Sequence, residues 1–398
     1  MKILHISTKD TGGASTASMR LHSALKNFNS PDLQSKMLLL WDNTGISKSD
    51  DTIHLYENEF PFLKKTGDYL SFLKLKYLKN KNPLDEQYIK SQFYHSFYYP
   101  ETHKLIKWAD IIHLHWINGF VNPFKFFKTV DKPVVWRFPD MTPFSGGNCY
   151  ESGIFENNIH KFDRFLEQKK KIFSIHGKIY GQATTSEFKK KATEYQTFKE
   201  DNIFVIPNPL DTSLYSPKSK EEAKNSFKIN TNKPVILFVA ADVNNSRKGI
   251  HFLMEEKIQS EFTLVVAGTK NEKLSSYKNI IQLGKLNQEQ LNFAYSMADL
   301  YVTPSIEEAF GQTTVEALYC GIPVVAFPTS GSKDIIENGT NGYIANDISV
   351  EGLYEAIKKA LQHPFDRNQI VSLANSKYSP DIIVKQLIDM YKYILNND

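Results

Sequence analysis

The sequence contains little cysteine and no long apolar run, and both absences limit what the protein can be. Its two cysteines, Cys149 and Cys320, stand far apart without the spacing of a zinc site. We therefore expect neither a disulfide nor a metal framework, and a reducing, cytoplasmic location is favoured. No apolar stretch approaches membrane-spanning length, and Met1–Thr8 is too short and too soon interrupted for a signal peptide. The mild net charge of +4 gives no reason to expect nucleic acid as a partner.

Short apolar strands alternate with helical stretches along all 398 residues, which is typical of α/β domains with parallel sheets. A chain of this length is too long for one hydrophobic core. The predicted strands are Lys2–Ser7, Lys36–Trp41, Asp110–Trp116, Pro133–Phe138, Gln182–Ser186 and Ile203–Ile206 in the first half, and Pro234–Ala241, Phe262–Ala267, Ile280–Leu283, Leu300–Thr303 and Pro323–Ala326 in the second.

A turn-rich segment, Pro207–Pro217, separates the two halves. We predict one Rossmann-like domain at residues 1–206, a second at 207–379, and a C-terminal helix at 380–398. Open parallel sheets bind ligands beyond the carboxyl ends of their strands, so functional residues are expected in the loops that follow the strands.

Two carboxylates, Glu308 and Glu316, bracket a turn that leads from a strand into a helix. The helix is predicted over Gln312–Tyr319, and Gly311 permits a tight turn before it. Backbone amides at such a helix N-terminus suit a phosphate or diphosphate, and the four residues that supply them are Phe310, Gly311, Gln312 and Thr313. Glu316, about one turn inside the helix, can bind a vicinal diol such as a ribose. This combination predicts a sugar-nucleotide site.

The same segment, after a strand that ends at Pro304-Ser305, resembles the signature of retaining glycosyltransferase family 4. The resemblance extends over residues 203 to 362. It includes the segments Val205–Asp211 and Gly284–Leu286, and Ser330-Gly331 with Asp334. It implies the GT-B fold, in which two Rossmann-like domains face each other across a cleft and the C-terminal helix often packs back on the first domain. In the family Glu316 would hold the ribose, Glu308 would approach the donor sugar, and the amides between them would hold the diphosphate. A capped core helix with two solvated glutamates is the alternative.

A second loop of the C-terminal half carries two adjacent cations, Arg247 and Lys248, followed by Gly249. Paired cations at a strand end suit a leaving diphosphate, whose charge grows as its bond to the sugar breaks. A solvated basic turn is the alternative. Family 4 members carry an Arg and a Lys across this loop; here the usual Arg position falls near Ala241-Asp242, so Arg247 is assigned that role.

The N-terminal half offers a glycine turn and a histidine pair. The first strand leads into Asp10–Ser15, and a helix is predicted from about Ala14 to Lys26. This turn, with Gly13, resembles the family's glycine loop between acceptor and donor phosphate, although a plain tight turn fits too. His113 and His115 point to the same face of their strand. We interpret His113 as a core residue and His115, at the strand end, as the residue that resembles the family's donor-sugar contact.

A third segment, Trp136–Cys149, resembles a subgroup of bacterial polysaccharide transferases, although Pro139 stands where those enzymes have histidine. Asp140 is the candidate acceptor-binding residue, because its carboxylate could accept a proton or orient a hydroxyl. An aspartate that caps the next turn is the equal alternative.

Residues 60–81 interleave large apolar side chains with lysines. A basic amphipathic segment can lie on an anionic membrane surface, which would suit a lipid-linked acceptor. A surface helix that packs on the first domain with its lysines in water is the alternative.

The resemblance implies a retaining hexosyl- or N-acetylhexosaminyltransferase of bacterial surface polysaccharide or lipopolysaccharide synthesis, with a nucleoside diphosphate sugar as donor and no cofactor. No Asp-x-Asp metal motif follows a strand, so we expect no metal requirement. A GT-B epimerase of UDP-sugars and a non-catalytic sugar-nucleotide-binding homologue are the alternatives. A dehydrogenase is disfavoured, because Thr11–Ser15 lacks the Gly-x-Gly-x-x-Gly spacing.

Overall fold

A computed structural model describes residues 1–28, 30–81, 96–151 and 159–397 of the chain. The chain divides into two compact units. The first consists of Met1–Pro209 together with Ile383–Asp398, and the second of Leu210–Ile382. Among the described residues, no helix combines the length and apolarity that a membrane span requires.

The first unit is built on a seven-stranded, fully parallel sheet with the order β3-β2-β1-β4-β5-β6-β7. Its strands are β1 (Lys2–Lys9), β2 (Gln34–Trp41), β3 (Ile53–Leu55), β4 (Ile111–Leu114), β5 (Val134–Arg137), β6 (Ile179–Ala183) and β7 (Ile203–Val205). Its helices are α1 (Gly13–Asn27), α2 (Tyr56–Glu59), α3 (Pro61–Lys81), α4 (Lys104–Trp108), α5 (Pro123–Thr129), α6 (Ile159–His176) and α7 (Ser186–Glu194).

The second unit has a six-stranded parallel sheet with the order β10-β9-β8-β11-β12-β13. Its strands are β8 (Val235–Ala240), β9 (Thr263–Gly268), β10 (Ile280–Gly284), β11 (Leu300–Thr303), β12 (Val324–Ala326) and β13 (Gly342–Ile344). Its helices are α8 (Lys220–Ser226), α9 (Ile250–Leu253), α10 (Glu256–Glu261), α11 (Gln288–Met297), α12 (Gln312–Tyr319), α13 (Ser330–Ile335), α14 (Val350–Gln362) and α15 (Arg367–Tyr378).

The last helix, α16 (Pro380–Asn396), returns the chain to the first unit. Its buried apolar residues, among them Ile383, Leu387 and Tyr391, share one core cluster with Ile3 of β1 and Ile111 of β4. The amphipathic pattern of the helix therefore matches a face of the first sheet.

The structure confirms the α/β class and the order of the predicted strands, with three differences. The predicted strand Gln182–Ser186 is observed as Ile179–Ala183, because Thr185 accepts a hydrogen bond from the amide of Phe188 and caps α7. Strand β4 ends at Leu114, so His115 and Trp116 lie beyond it. The strands β3 and β13 were not predicted, since each is a three-residue edge strand too short for an apolar pattern.

In the core of the first unit, the histidines His5, His22, His113 and His115 are each at most 1% exposed. His5 on β1 pairs in register with His113 on β4. Burial lowers the pKa of all four imidazoles, to about 4 for His22 and about 3 for His113. These groups are therefore neutral in the folded protein at neutral pH.

We expect the free energy of unfolding to decrease as the pH falls below 6.5. Unfolded histidines take up protons near that value, whereas folded His22 does not until the pH reaches about 4, so acid favours the unfolded state. Each unit of pKa difference corresponds to about 1.4 kcal/mol. Urea unfolding followed by circular dichroism at pH 7.5 and at pH 5 measures the loss.

The matched variant is His22→Gln, because an amide can keep hydrogen bonds to Ser35 and Thr52 but cannot titrate in this range. Its loss of stability between the two pH values should be smaller than that of the parent protein. An identical loss in both proteins would contradict the assignment of His22.

Candidate functional site

The strand order of the second unit indicates where along the carboxyl ends of its strands a ligand would bind. The chain runs from β8 outward through β9 and β10 on one side and through β11, β12 and β13 on the other, so the order reverses between β8 and β11. In open parallel sheets, ligands bind beyond the carboxyl ends of the strands at such a reversal. The loops that follow β8 and β11 contain the residues predicted from the sequence, namely Arg247, Lys248, Glu308, Phe310 and Gly311.

Lys248 and Glu308, which are far apart in sequence, meet at this edge. The Nζ atom of Lys248 donates a hydrogen bond to Oε2 of Glu308 at 2.5 Å, and Nη1 of Arg247 lies 3.8 Å from the same oxygen. All three side chains are partly exposed, at 26%, 19% and 18% respectively. Burial alone would raise the pKa of Glu308, but the charges of Lys248 and Arg247 bring it below its ordinary value. Glu308 is therefore ionised between two cations.

Gly249 holds the two loops together. Its φ of 74° is left-handed, and a Cβ built on it would lie 1.8 Å from the carbonyl oxygen of Pro304. The carbonyl of Arg247 in turn accepts a hydrogen bond of 2.9 Å from the amide of Ile306. No side chain fits between these backbones, so glycine is what permits Lys248 to reach Glu308.

Helix α12 begins directly beyond Glu308. Gly311 adopts a left-handed conformation with φ 98°, and the helix starts at Gln312, so its first amides point out of the helix N-terminus. Gly331 of α13 donates its amide to the carbonyl of Glu308 at 3.1 Å and supports the turn. The hydroxyl of Tyr301 donates to Oγ1 of Thr313 at 2.7 Å. The arrangement places a positive helix end beside the two cations.

Glu316 lies one turn inside α12 and is 6% exposed. Its Oε2 accepts a hydrogen bond of 3.1 Å from the hydroxyl of Tyr295 on α11. Burial and the charge of Glu316 raise the pKa of Tyr295 far above its usual value, so this phenol remains a donor. Tyr295 was not predicted from the sequence, because only the packing of α11 on α12 brings it to Glu316. The ribose contact itself stays a prediction.

The corresponding reversal in the first sheet lies between β1 and β4, where the glycine loop and His115 follow the two strands. Gly13 is the first residue of α1, and Nη1 of the buried Arg137 donates to the carbonyl of Ala14 at 3.1 Å. The ring of His115 is 1% exposed, stacks on His113, and its Nε2 lies 2.9 Å from Nδ1 of His5. Its contact with a donor sugar stays a prediction.

Asp140 is 8% exposed and its Oδ1 accepts a hydrogen bond of 2.8 Å from the amide of Thr142. The carboxylate thus caps the turn that follows it, which is the alternative to acceptor binding that the sequence left open. The acceptor role stays a prediction.

One group of side chains within the described ranges brings enough metal-ligating atoms together for an ion. His5, His113 and His115 each place a ring nitrogen within 4.8 Å of the others. Burial lowers the pKa of the three imidazoles and keeps them neutral, and the positive charge of buried Arg137 close to His113 and His115 disfavours a second cation there. We derive no metal chemistry from it.

Comparison with known proteins finds similarity to glycosyltransferases. Residues 219–377 match the model of the family described as glycosyl transferases group 1. An uncharacterized glycosyltransferase of Methanocaldococcus jannaschii is 28% identical over 305 residues, which cover 71% of this chain and 75% of that protein. The lipopolysaccharide 1,2-N-acetylglucosaminetransferase of Salmonella typhimurium is 27% identical over 217 residues, covering 48% of this chain and 56% of that enzyme.

Solved structures match over nearly the whole chain. Anabaena HepE in complex with UDP and glucose aligns with a TM-score of 0.68 at 15% identity, covering 99% of this chain and 100% of that one. At this identity the similarity concerns the fold, and it confirms the predicted GT-B class with its two parallel-sheet units.

Gly249→Ala should destabilise the second unit strongly, because the new Cβ collides with the carbonyl of Pro304 as well as straining φ. Gly284→Ala is the matched control: its φ is 76°, but the new Cβ meets only Cε of Lys270, at 3.8 Å. We expect Gly249→Ala to cost about 2 kcal/mol more than Gly284→Ala in urea unfolding. Equal losses would show that the two loops are not held together as described.

Proposed function

We propose that this chain, which carries a domain of the glycosyl transferases group 1 family on the GT-B fold, transfers a sugar from a nucleoside diphosphate donor. The acceptor is a glycan or lipid-linked glycan of bacterial surface polysaccharide or lipopolysaccharide, and the transferred hexosyl or N-acetylhexosaminyl group keeps its anomeric configuration. The observation that carries the proposal is the meeting of Lys248, Arg247 and Glu308 beside the N-terminus of α12.

The geometry suits the departure of a diphosphate. Lys248 and Arg247 supply two positive charges, and the first amides of α12 supply donors that do not need to reorganise as negative charge develops. Glu308, ionised between the cations, keeps both of them at the strand edge, and we assign to it the contact with the donor sugar. The departing diphosphate oxygen can take the proton of the acceptor hydroxyl, so the proposal needs no separate base and no metal ion.

The comparisons support a nucleotide-sugar donor, and the name of one relative is consistent with the glycan acceptor that we propose. HepE was solved with UDP and glucose, and the Salmonella relative is named for transfer to lipopolysaccharide. They give no support to the epimerase alternative. The non-catalytic alternative is disfavoured by the intact Lys248–Glu308 contact.

Glu316→Ala should weaken binding of the donor nucleotide, because a charged hydrogen bond to the ribose is worth about 1.5–3 kcal/mol. UDP, GDP and ADP are first compared by thermal shift, since a bound ligand stabilises the folded state. Isothermal titration then measures the preferred nucleotide on both proteins. Tyr295→Phe removes the hydrogen bond to Glu316 but keeps its carboxylate, and should change affinity less. Unchanged affinity in folded Glu316→Ala would remove this residue from the donor site.

Lys248→Met should lower kcat more than it raises the donor KM, because the charge on the leaving diphosphate is greatest in the transition state. The loss of one charged donor predicts a decrease in kcat of about 100-fold or more. Lys278→Met, an exposed lysine of the same unit, is the control and should be inert. A variant with full kcat and only a raised KM would contradict the leaving-group role. Activity in EDTA tests the proposed independence from metal.

A lipid-linked acceptor would be held in a membrane, and helix α3 has a surface that suits contact with one. Large apolar side chains of this helix point outward. Among the side chains of this helix that the structure describes, six large apolar ones are exposed: Phe62 at 77%, Tyr69 at 63%, Leu70 at 39%, Phe72 at 62%, Leu73 at 43% and Tyr77 at 60%. Exposed Lys65 and Lys76 lie among them on the same helical face. The arrangement is the reverse of an ordinary surface helix, which buries its apolar face.

The inward side of α3 is polar and closely fitted. Gly67 is buried against Tyr98, where a Cβ would lie 2.5 Å from the ring, and the hydroxyl of Tyr98 donates to Asp68 at 2.6 Å. Lys64 also donates to Asp68, at 2.9 Å. These contacts fix which face of the helix is outward. We propose that this face, with its two lysines, rests on an anionic membrane surface and holds the protein at the membrane's inner face.

Phe62→Ser with Phe72→Ser should release the protein from anionic liposomes in a sedimentation assay, because both rings are exposed and contribute little to the fold. Lys65→Gln with Lys76→Gln should weaken binding by about 1 kcal/mol for each lysine, and salt should have the same effect. Lys128→Gln with Lys190→Gln removes the same charge from elsewhere in this unit and is the control. Failure of the parent protein to sediment at low salt would end the membrane proposal.

A further inference from the structure

A lysine occupies a core position in the first unit. Helix α6 turns one side inward, and along that side Lys169 is followed by Ile172 and Phe173, all three of them buried. Lys169 is 1% exposed, although an ammonium group at such a position loses its hydration and must be compensated by hydrogen bonds. Sequence pattern alone would place an apolar residue here.

Backbone carbonyls of one loop accept hydrogen bonds from the ammonium group and replace its lost hydration. The Nζ atom of Lys169 donates hydrogen bonds to the carbonyl of Thr142 at 2.7 Å and to that of Ser145 at 2.5 Å. It also lies 5.8 Å from the ring centre of Trp136. Burial lowers the pKa of Lys169 and the carboxylate of Asp140 raises it, with the result at about 7. Asp140 also interacts with the guanidinium of Arg137.

The loop concerned is the segment from Asp140 to Cys149, hereafter the Asp140 loop. Its residues up to Asn148 are buried, and its ends are joined by a hydrogen bond of 3.0 Å from the amide of Met141 to the carbonyl of Cys149. Thr142 links the two charged groups, because its amide binds Asp140 at 2.8 Å and its carbonyl binds Lys169. The position of the Asp140 carboxylate thus depends on the lysine through one residue.

We propose that Lys169 is a positioning residue of the acceptor site, whose ammonium group holds the Asp140 loop in the conformation that presents Asp140. The acceptor part of this inference rests on the proposed function, whereas the hold on the loop does not. A lysine needed only to fill space would be replaced by an apolar side chain without any effect on the loop. A lysine that donates hydrogen bonds to two buried carbonyls cannot be replaced in this way, because both carbonyls lose their donor and the loop loses that support.

The reactivity of the Cys149 thiol can measure how often the Asp140 loop opens, because this residue lies within the loop. Cys149 is half-buried and its Sγ lies 3.6 Å from Oγ1 of Thr142, whereas Cys320 is fully buried in the other unit. Labelling with Ellman's reagent measures how often the loop opens. Lys169→Met should label about tenfold faster or more than the parent protein, because local opening sets the rate. Lys171→Met, an exposed neighbour on α6, should label at the parent rate.

A Cys149→Ser variant gives the contribution of Cys320, and urea unfolding followed by circular dichroism confirms that each variant is folded. Equal labelling of Lys169→Met and the parent protein would overturn the proposal. The experiment requires no sugar transfer, so its failure would leave the proposed donor chemistry standing.

The pH dependence supplies a second measurement that does not depend on the folding of Lys169→Met. The labelling rate of the parent protein, divided by the fraction of Cys149 present as thiolate, should rise as the pH passes about 7 and Lys169 loses its proton. Lys171→Met should show the same rise. A flat corrected rate in the parent protein between pH 6 and pH 8.5 would overturn the proposal by itself.

Discussion

The candidate site depends on the parallel pairing of β8 with β11. This pairing places the loop after each strand at the same edge of the sheet, so that a basic loop and an acidic loop separated by about sixty residues of sequence meet there. The backbone contact between Gly249 and Pro304 then fixes their distance. Had the strand order not reversed at this pair, helices would cover the edge and the charges would face them rather than a ligand.

Charge balance explains why the site can be built in advance of its ligand. Two cations and a positive helix end in a half-buried place would repel one another, and the carboxylate of Glu308 offsets this repulsion. A diphosphate carries the opposite charge and can share the same cations. The contact with Glu308 thus keeps the two cations in place, and such fixed charges are what the proposed stabilisation of a leaving diphosphate requires.

The first unit uses polar groups in a different way. Its histidines, Arg137 and Lys169 are buried in the core, where they bind neighbouring side chains and backbone carbonyls. Its α3 helix, in contrast, turns large apolar residues to the surface. Burying a charged group and exposing a large apolar side chain both cost folding free energy. Lys169 and α3 are therefore two places in this unit where we propose a role beyond the fold.

The sequence by itself determined the α/β class, most strands and helix α12, because apolar periodicity, glycine and capping are local signals, and it predicted the residues of the candidate site. It also suggested Asp140 and the lysine-rich segment, but left two interpretations of each open. Only the tertiary structure decided that Asp140 caps its turn and that α3 faces outward with its apolar side. The contacts of Tyr295 and Lys169 were not predicted from the sequence. Their roles arise from contacts between elements distant in the chain, and such contacts leave no periodic trace in either segment.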